Sequence, residues 1–117
     1  MASEKVLELN ELDFASQVLE SAETVLVDFT AAWCTPCRAL SPVVASIAEE
    51  MWGRVTVASV DADASPALAS KFGIRGLPTL IVFQGGKEVA RRIGLTNKEG
   101  IRGLLRPALK QVDTAVA

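Results

Sequence analysis

The chain has 117 residues, enough for one domain with a sizeable core. Its 12 basic and 14 acidic side chains give a formal net charge of −2, so it lacks the positive excess with which proteins bind nucleic acids or anionic membranes. It contains two cysteines and no histidine. A Ser-His-Asp triad is therefore excluded, and a four-ligand zinc site would need carboxylates or a second copy of the chain.

The beginning of the sequence carries acid early, at Glu4, and lacks the apolar run of about 7 to 15 residues that a secretory signal requires. No apolar run approaches the roughly 20 residues of a membrane span. These features predict a cytoplasmic protein working in a reducing compartment, folded as a single domain over residues 1–117.

The first part of the chain alternates between strand and helix patterns. Residues 6–9 predict a short strand, and Asn10 is suited to cap a helix over residues 11–20. The apolar residues spaced to face inward from that helix are Leu12, Phe14, Ala15, Val18 and Leu19. Residues 25–30 are β-rich without polar alternation, which predicts a central strand covered on both faces.

The middle of the chain continues the alternation. Apolar residues recur at a helical period over residues 34–51, and Gly53 ends that pattern. Residues 55–60 predict a strand, and residues 66–72 a short helix with Pro66 in its first turn. This order of elements is typical of an α/β domain.

The last part of the chain predicts a hairpin and a helix. The strands 79–83 and 88–93 are separated by a tight turn, so they should pair antiparallel. A final helix over residues 98–112 contains Gly103 and Pro107, which predict an irregular or split helix. The domain core should span about residues 6–109, and the tail 113–117 should fray.

Both cysteines lie in the segment Trp33-Cys34-Thr35-Pro36-Cys37, at the start of the helix that begins near residue 34. Their spacing places the sulfurs about one helical turn apart, within reach of a disulfide. A bridge across so short a loop restricts the unfolded chain little, so redox cycling is a better explanation than structural stapling.

The two thiols should have different roles. At a helix start, Cys34 faces unpaired N–H groups and the positive end of the helix dipole, which favour the reactive thiolate. We therefore expect Cys34 to be the nucleophile and Cys37, one turn deeper, to be the resolving thiol. The alternative is two small buried residues without chemistry.

Three further positions stand out. Asp28 lies within an apolar strand, where desolvation should raise its pKa and make it a proton shuttle; alternatively it reaches solvent or caps the following turn. Trp33 is either a core aromatic or a partly exposed contact for a protein partner. The Leu77-Pro78 bond, on general X-Pro statistics alone, should be trans.

Three segments occur in a fixed order with strands and helices between them: Val27-Asp28-Phe29, Trp33-Cys34-Thr35-Pro36-Cys37 and Gly76-Leu77-Pro78-Thr79. Together they resemble the thioredoxin family, over about residues 6–109. The resemblance implies a thioredoxin fold, an α/β architecture with a central mixed five-stranded β-sheet flanked by about four helices.

The resemblance also implies roles for individual residues. Asp28 would be the buried acid-base group serving Cys37, and Leu77-Pro78 would be cis with Pro78 against the dithiol. The groove for protein substrates would be lined by Trp33, Gly76, Leu77, Pro78, Gly94 and Leu95. No cofactor or metal would be bound. Electrons would come from an NADPH-dependent flavoprotein, thioredoxin reductase, and the protein would act on disulfide-containing proteins as a monomer.

Some positions depart from the family pattern. Thr35 replaces the usual glycine and, with Pro36, should tune the reduction potential; the retained proline accompanies a reducing poise in the family. Thr30 stands where many members have an aromatic residue, and Ser59 where a lysine commonly neighbours the buried acid. Without that cation, the pKa of Asp28 should be higher than in typical members.

The function expected from these residues is protein-disulfide reduction by a Cys34/Cys37 cycle through a mixed disulfide. One alternative is a disulfide isomerase or oxidase with an altered potential. Another is a thioredoxin-like binding module whose groove acts without redox chemistry. Metal or cluster binding across a dimer is a further candidate.

Overall fold

The computed structural model describes residues 4–116, with side chains as far as residue 109. The strands are β1 Val6–Leu9, β2 Thr24–Thr30, β3 Val55–Asp61, β4 Thr79–Gln84 and β5 Lys87–Ile93, and the α-helices are α1 Thr35–Glu50, α2 Pro66–Lys71 and α3 Lys98–Val116. Residues 1–3, which belong to the segment used to predict a cytoplasmic location, and residue 117 of the predicted tail lie outside the described residues.

The strands form one mixed sheet in the order β1-β3-β2-β4-β5. β3 pairs in parallel with β1 and with β2, whereas β4 pairs antiparallel with β2 and with β5. All predicted strands are confirmed to within one residue at each end. The sheet is the expected mixed one, and β2, which carries Asp28, is its central strand.

Each face of the sheet has its own apolar core, because successive side chains of a strand point to opposite faces. Leu26 of β2 packs in a cluster with Val44 of α1 and Ile101 of α3. Val27 and Phe29 pack on the other face. That second cluster contains Phe14 and Phe83, whose rings meet edge to face with centroids 5.9 Å apart. A central strand covered on both faces is therefore confirmed.

The predicted α-helix over residues 11–20 is wrong in type and in its apolar face. The segment forms a π-helix, Ala15–Leu19, in which the Glu20 N–H bonds to the carbonyl of Ala15. Asn10 nevertheless accepts from the Leu12 N–H at 2.8 Å, as expected of a cap. Ala15, in the π-helix, is exposed, and Leu12, in the turn before it, is 94 % exposed, while Phe14 and Val18 are buried as predicted.

The last helix is also more regular than expected. α3 runs through Gly103 and Pro107 without a break and continues to Val116, so the predicted split is wrong. Ile101 and Leu105 are fully buried against the sheet. Tertiary packing of this face outweighs the weak helix propensity of glycine and proline.

Candidate active site

The two cysteines lie at the start of α1, just after the connection from β2. Cys34 is the N-cap residue of α1 and has an extended backbone, and its sulfur accepts a hydrogen bond from the Cys37 N–H at 3.2 Å. Pro36 occupies the first turn, where its missing N–H leaves no helical bond unmade. The first turn contains no acidic side chain. The positive end of the helix therefore acts on the Cys34 sulfur without an opposing charge.

Cys34 and Cys37 form a disulfide, with their Cα atoms 5.2 Å apart. Both residues are buried, with 3 % and 2 % of their surface exposed. Ala31 and the partly buried Leu77 pack against them. The bridge is thus recessed beside a small apolar cluster, whereas the intervening Thr35 and Pro36 are exposed.

The loop before β4 carries the second motif. The Leu77-Pro78 bond is cis, as the resemblance predicts and contrary to the general X-Pro preference. The carbonyl of Pro78 accepts a hydrogen bond from the Gly94 N–H at 2.8 Å. The Thr79 hydroxyl donates to the carbonyl of Gly76. These bonds fix the loop against the end of β5.

Four of the predicted groove residues, Gly76, Leu77, Pro78 and Gly94, lie in this loop or are hydrogen-bonded to it. Gly76 lies close to Ile93, because a Cβ on Gly76 would approach the Ile93 Cγ2 to 3.2 Å. Ile93 and Leu95 are large apolar side chains that are mostly exposed. Sequence reasoning missed Ile93; its place at the end of the hairpin, just before Gly94, is the signal that was available.

Trp33 is 65 % exposed, so it is a surface side chain and not a core aromatic. Its indole N–H donates to a carboxylate oxygen of Asp63 at 2.6 Å. Asp63 lies in the loop after β3, where the Asp63 and Ala64 N–H groups bond to the Asp61 carboxylate. No sequence pattern links Asp63 to Trp33, and sequence reasoning did not identify it.

Asp28 is 4 % exposed, and its Oδ1 atom is buried without a hydrogen-bond partner among the described residues. Burial raises the pKa of Asp28 from the ordinary 3.8 to about 7. This confirms the expected desolvation. The alternative, in which Asp28 reaches solvent or caps a turn, is wrong.

Two neighbouring spaces lie beside Asp28 and Cys37. A small cavity of about 50 Å³ is lined by Asp28, Ser41 and Ser59, among other residues. A larger cleft of about 490 Å³ is lined by Cys37. Glu8, Ser41 and Ser59 line both spaces. Asp28 and Cys37 thus line neighbouring spaces that share these three residues, and neither Glu8 nor Ser41 was identified from the sequence.

The described part of the chain shows neither a metal-ligating cluster nor a membrane-spanning helix. Among its side chains, no group of three or more metal-ligating residues is placed to hold a metal ion. Its helices all fall short of the length and apolar character needed to cross a membrane.

Comparison with known proteins identifies the family. The family model described as Thioredoxin matches residues 5–106. Thioredoxin 1 of Nostoc sp. is 46 % identical over 85 residues, which cover 73 % of this chain and 79 % of that protein. Chloroplastic thioredoxin X of Arabidopsis thaliana is 38 % identical over 112 residues, 94 % of this chain. This chain spans only 62 % of the length of that relative.

A third relative is a fusion protein. The bifunctional thioredoxin reductase/thioredoxin of Mycobacterium leprae is 41 % identical over 95 residues, which cover 81 % of this chain and 21 % of that protein. The matched length, the mixed sheet and the disulfide at the start of α1 agree with one another. The chain belongs to the thioredoxin family and is a thiol-disulfide oxidoreductase of the protein-disulfide reductase type.

Proposed function

We propose that the Cys34–Cys37 pair reduces disulfides in protein substrates, with Cys34 as the nucleophile and Cys37 as the resolving thiol. The observation that carries this assignment is the position of Cys34 as the N-cap of α1, where its sulfur accepts the Cys37 N–H. An N–H donor and the helix dipole both stabilise a thiolate. The thiolate is the attacking form.

The reaction proceeds in two exchanges. The Cys34 thiolate attacks a substrate disulfide, forms a mixed disulfide and releases the first substrate thiolate. Cys37 then attacks the Cys34 sulfur, closes the intramolecular bridge and releases the second substrate thiolate. Asp28 serves Cys37 as acid-base group, supported by its raised pKa and by its cavity, which shares Glu8, Ser41 and Ser59 with the cleft that Cys37 lines.

The substrate chain binds over the groove lined by Trp33, Gly76, Leu77, Pro78, Gly94 and Leu95. Its support is the packing of Leu77 against the cluster of Ala31, Cys34 and Cys37, and the hydrogen bond from Gly94 to Pro78. Because both cysteines are recessed, an extended substrate segment paired with the Leu77 backbone would bring its disulfide to Cys34. We place Pro78 against the dithiol for the same reason.

Thr35 and Pro36 tune the potential of the couple. Both are exposed between the two sulfurs, so they contact an incoming substrate and shape the first turn of α1. Retention of Pro36 favours a reducing couple. The reduction potential, measured in dithiothreitol buffers, tests this directly: a potential in the range of oxidases would replace the reductase by an isomerase or oxidase.

The electron donor is a thioredoxin reductase, an NADPH-dependent flavoprotein. The fused reductase and thioredoxin of the Mycobacterium leprae relative supports such a partner. We further propose that the protein acts as a monomer in the cytoplasm, where a donor system keeps thiols reduced. Fractionation of cells decides the location, since one relative is named as chloroplastic.

Paired serine variants test the assignment of the cysteines. Cys34→Ser should lose all turnover of a protein disulfide, whereas Cys37→Ser should form a mixed disulfide through Cys34 and stop there. Mass spectrometry of the trapped adduct identifies the sulfur involved. An adduct through position 37 in Cys34→Ser, or turnover in either variant, contradicts the proposed roles. Full cellular function of Cys34→Ser would instead support a binding module.

A further inference from the structure

Ser59 lies between an exposed carboxylate and the buried Asp28. In the parallel registers of the sheet, Ser59 of β3 is paired with Glu8 on β1 and with Asp28 on β2. Paired residues of neighbouring strands point to the same face of a sheet. Glu8, Ser59 and Asp28 thus form a polar row from the edge strand to the central strand.

This row lines the small cavity beside Asp28. Ser41 of α1 contributes a second hydroxyl from above the sheet, and Val6, Val44 and Ala45 complete the walls. About 50 Å³ is sufficient for one or a few water molecules, which need several polar partners. The buried Oδ1 atom of Asp28 has no hydrogen-bond partner among the described residues, so it needs a donor such as water.

The small cavity adjoins the cleft at Cys37. The two spaces share Glu8, Ser41 and Ser59 in their walls, so both serines border the cavity that Asp28 lines and the cleft that Cys37 lines. Apolar packing closes the sheet next to Asp28 on the other side, since its partner on β4 is Leu80.

We propose that Ser41 and Ser59 line a hydrated proton path between Asp28 and Cys37, in which their hydroxyl groups position water and relay the proton. The proposal rests on the proposed function, in which Asp28 is the acid-base group for Cys37. Both serines act through Asp28 and are positioning residues. Where many family members have a lysine beside the buried acid, Ser59 would thereby place a hydrated hydroxyl group.

One proton moves from Cys37 to Asp28 before the mixed disulfide is resolved. In the mixed disulfide the Cys37 thiol loses a proton and the Asp28 carboxylate gains one, while each water or hydroxyl between them accepts one proton and passes on another. The Cys37 thiolate then attacks the Cys34 sulfur, and the bond between Cys34 and the substrate sulfur breaks. Its electron pair leaves on the substrate thiolate, which takes a proton from water.

Three other charged groups line the two spaces. Glu8 comes from β1, Arg38 from α1 and Asp61 from the end of β3. Glu8 is the one that also lines the small cavity. These three are left unchanged in the test of the path, so that the charges lining the two spaces stay the same.

The sharpest test compares Ser59→Val with Ser59→Thr, because valine and threonine have the same shape and differ in the hydroxyl group. The full chain, reduced and mixed with a disulfide of a coloured aromatic thiol, forms a mixed disulfide at Cys34. Stopped-flow absorbance then follows release of the second thiol between pH 5 and pH 9. We expect Ser59→Val to slow this step about tenfold near pH 7 and to move its midpoint to higher pH. Ser59→Thr should retain the wild-type profile.

Two further comparisons make the result decisive. Ser41→Val and Ser41→Thr should repeat the contrast, and they replace the first pair if Ser59→Val fails to fold by circular dichroism. Equal rates for the valine and threonine variants, with Asp28→Asn slow, would overturn the path and leave the role of Asp28 intact. A wild-type profile for Asp28→Asn would overturn the role of Asp28 and the path with it.

Discussion

The indole N–H of Trp33 donates to the Asp63 carboxylate at 2.6 Å, across 30 positions of sequence. The two residues belong to different loops, one before α1 and one after β3. A side chain with 65 % of its surface exposed is thereby held in one orientation next to Cys34. The bond orients an exposed apolar side chain beside the dithiol without burying it in the core.

Asp63→Ala should free the Trp33 ring and lower kcat/KM for a protein disulfide about threefold, with little change for a small disulfide that does not contact the ring. The loss corresponds to about 0.6 kcal/mol, within the range of one exposed hydrogen bond. Fluorescence anisotropy of Trp33, measured after Trp52→Phe removes the second tryptophan, reports the freed motion. Asp63→Asn keeps an acceptor and serves as the control; equal mobility in all three proteins would contradict the prediction.

Asp28 should make the folded protein less stable as the pH rises. Its pKa is raised by burial from 3.8 to about 7, so between these values the folded state holds a proton that the unfolded state has lost. The free energy of unfolding therefore falls from about pH 4 to about pH 7 and is level above that range. At about 1.4 kcal/mol per pKa unit, the full effect is on the order of 4 kcal/mol.

Asp28→Asn isolates this effect, because asparagine stays neutral. Urea unfolding of the oxidised protein should give the two proteins similar stability near pH 4 and a more stable variant at pH 8. Carboxyl NMR of Asp28 measures the same titration directly. Ionisation below pH 5, or a stability difference that does not change with pH, would refute the raised pKa.

Gly86→Ala should destabilise the hairpin more than Gly85→Ala. Both glycines have positive φ, of +78° and +60°, so both variants lose about 1 kcal/mol to backbone strain. A Cβ on Gly86 would also collide with the carbonyl oxygen of Leu19, whereas one on Gly85 would meet open space. We expect a further loss of about 1 to 3 kcal/mol for Gly86→Ala in chemical unfolding. Equal losses of unfolding free energy in the two variants would mean that the hairpin turn can move away from the π-helix at little cost.

Arg102 links α3 to α1 through two hydrogen bonds to Glu50, of 2.6 and 2.7 Å. The guanidinium group lowers the pKa of the Glu50 carboxyl, first by hydrogen bonding. The stabilisation is therefore present at neutral pH and lost as acid protonates Glu50. Arg102→Gln should lower Tm at pH 7 but not at pH 3. Arg106→Gln, which removes a longer contact of 3.3 Å to Glu99, is the control and should change Tm less at pH 7.

Local patterns were sufficient to predict the sheet and the dithiol. The uninterrupted apolar run of β2 predicts a strand buried on both faces, and that burial explains the raised pKa of Asp28. The position of Cys34 at a helix start follows from the periodicity of the residues after it. In both cases the signal lies within one segment of chain.

Other features depend on how segments are placed against one another. Residues 11–20 have a helical period, but the turn is widened to a π-helix that exposes Leu12. The row of Glu8, Ser59 and Asp28 depends on the register of three strands, which no single strand encodes. Asp63 reaches Trp33 through the loop geometry after β3. None of these relations leaves a local pattern in the sequence.

The sulfur of Cys34 is both the reacting atom and the cap of α1, because it accepts the Cys37 N–H. A thiolate accepts this bond more strongly than a disulfide sulfur does, since charge strengthens hydrogen bonds. Each turnover therefore tightens and loosens the first turn of the helix. The chemical shift of the Cys37 amide proton should therefore report the oxidation state of the pair, and NMR can follow it without a label on the cysteines.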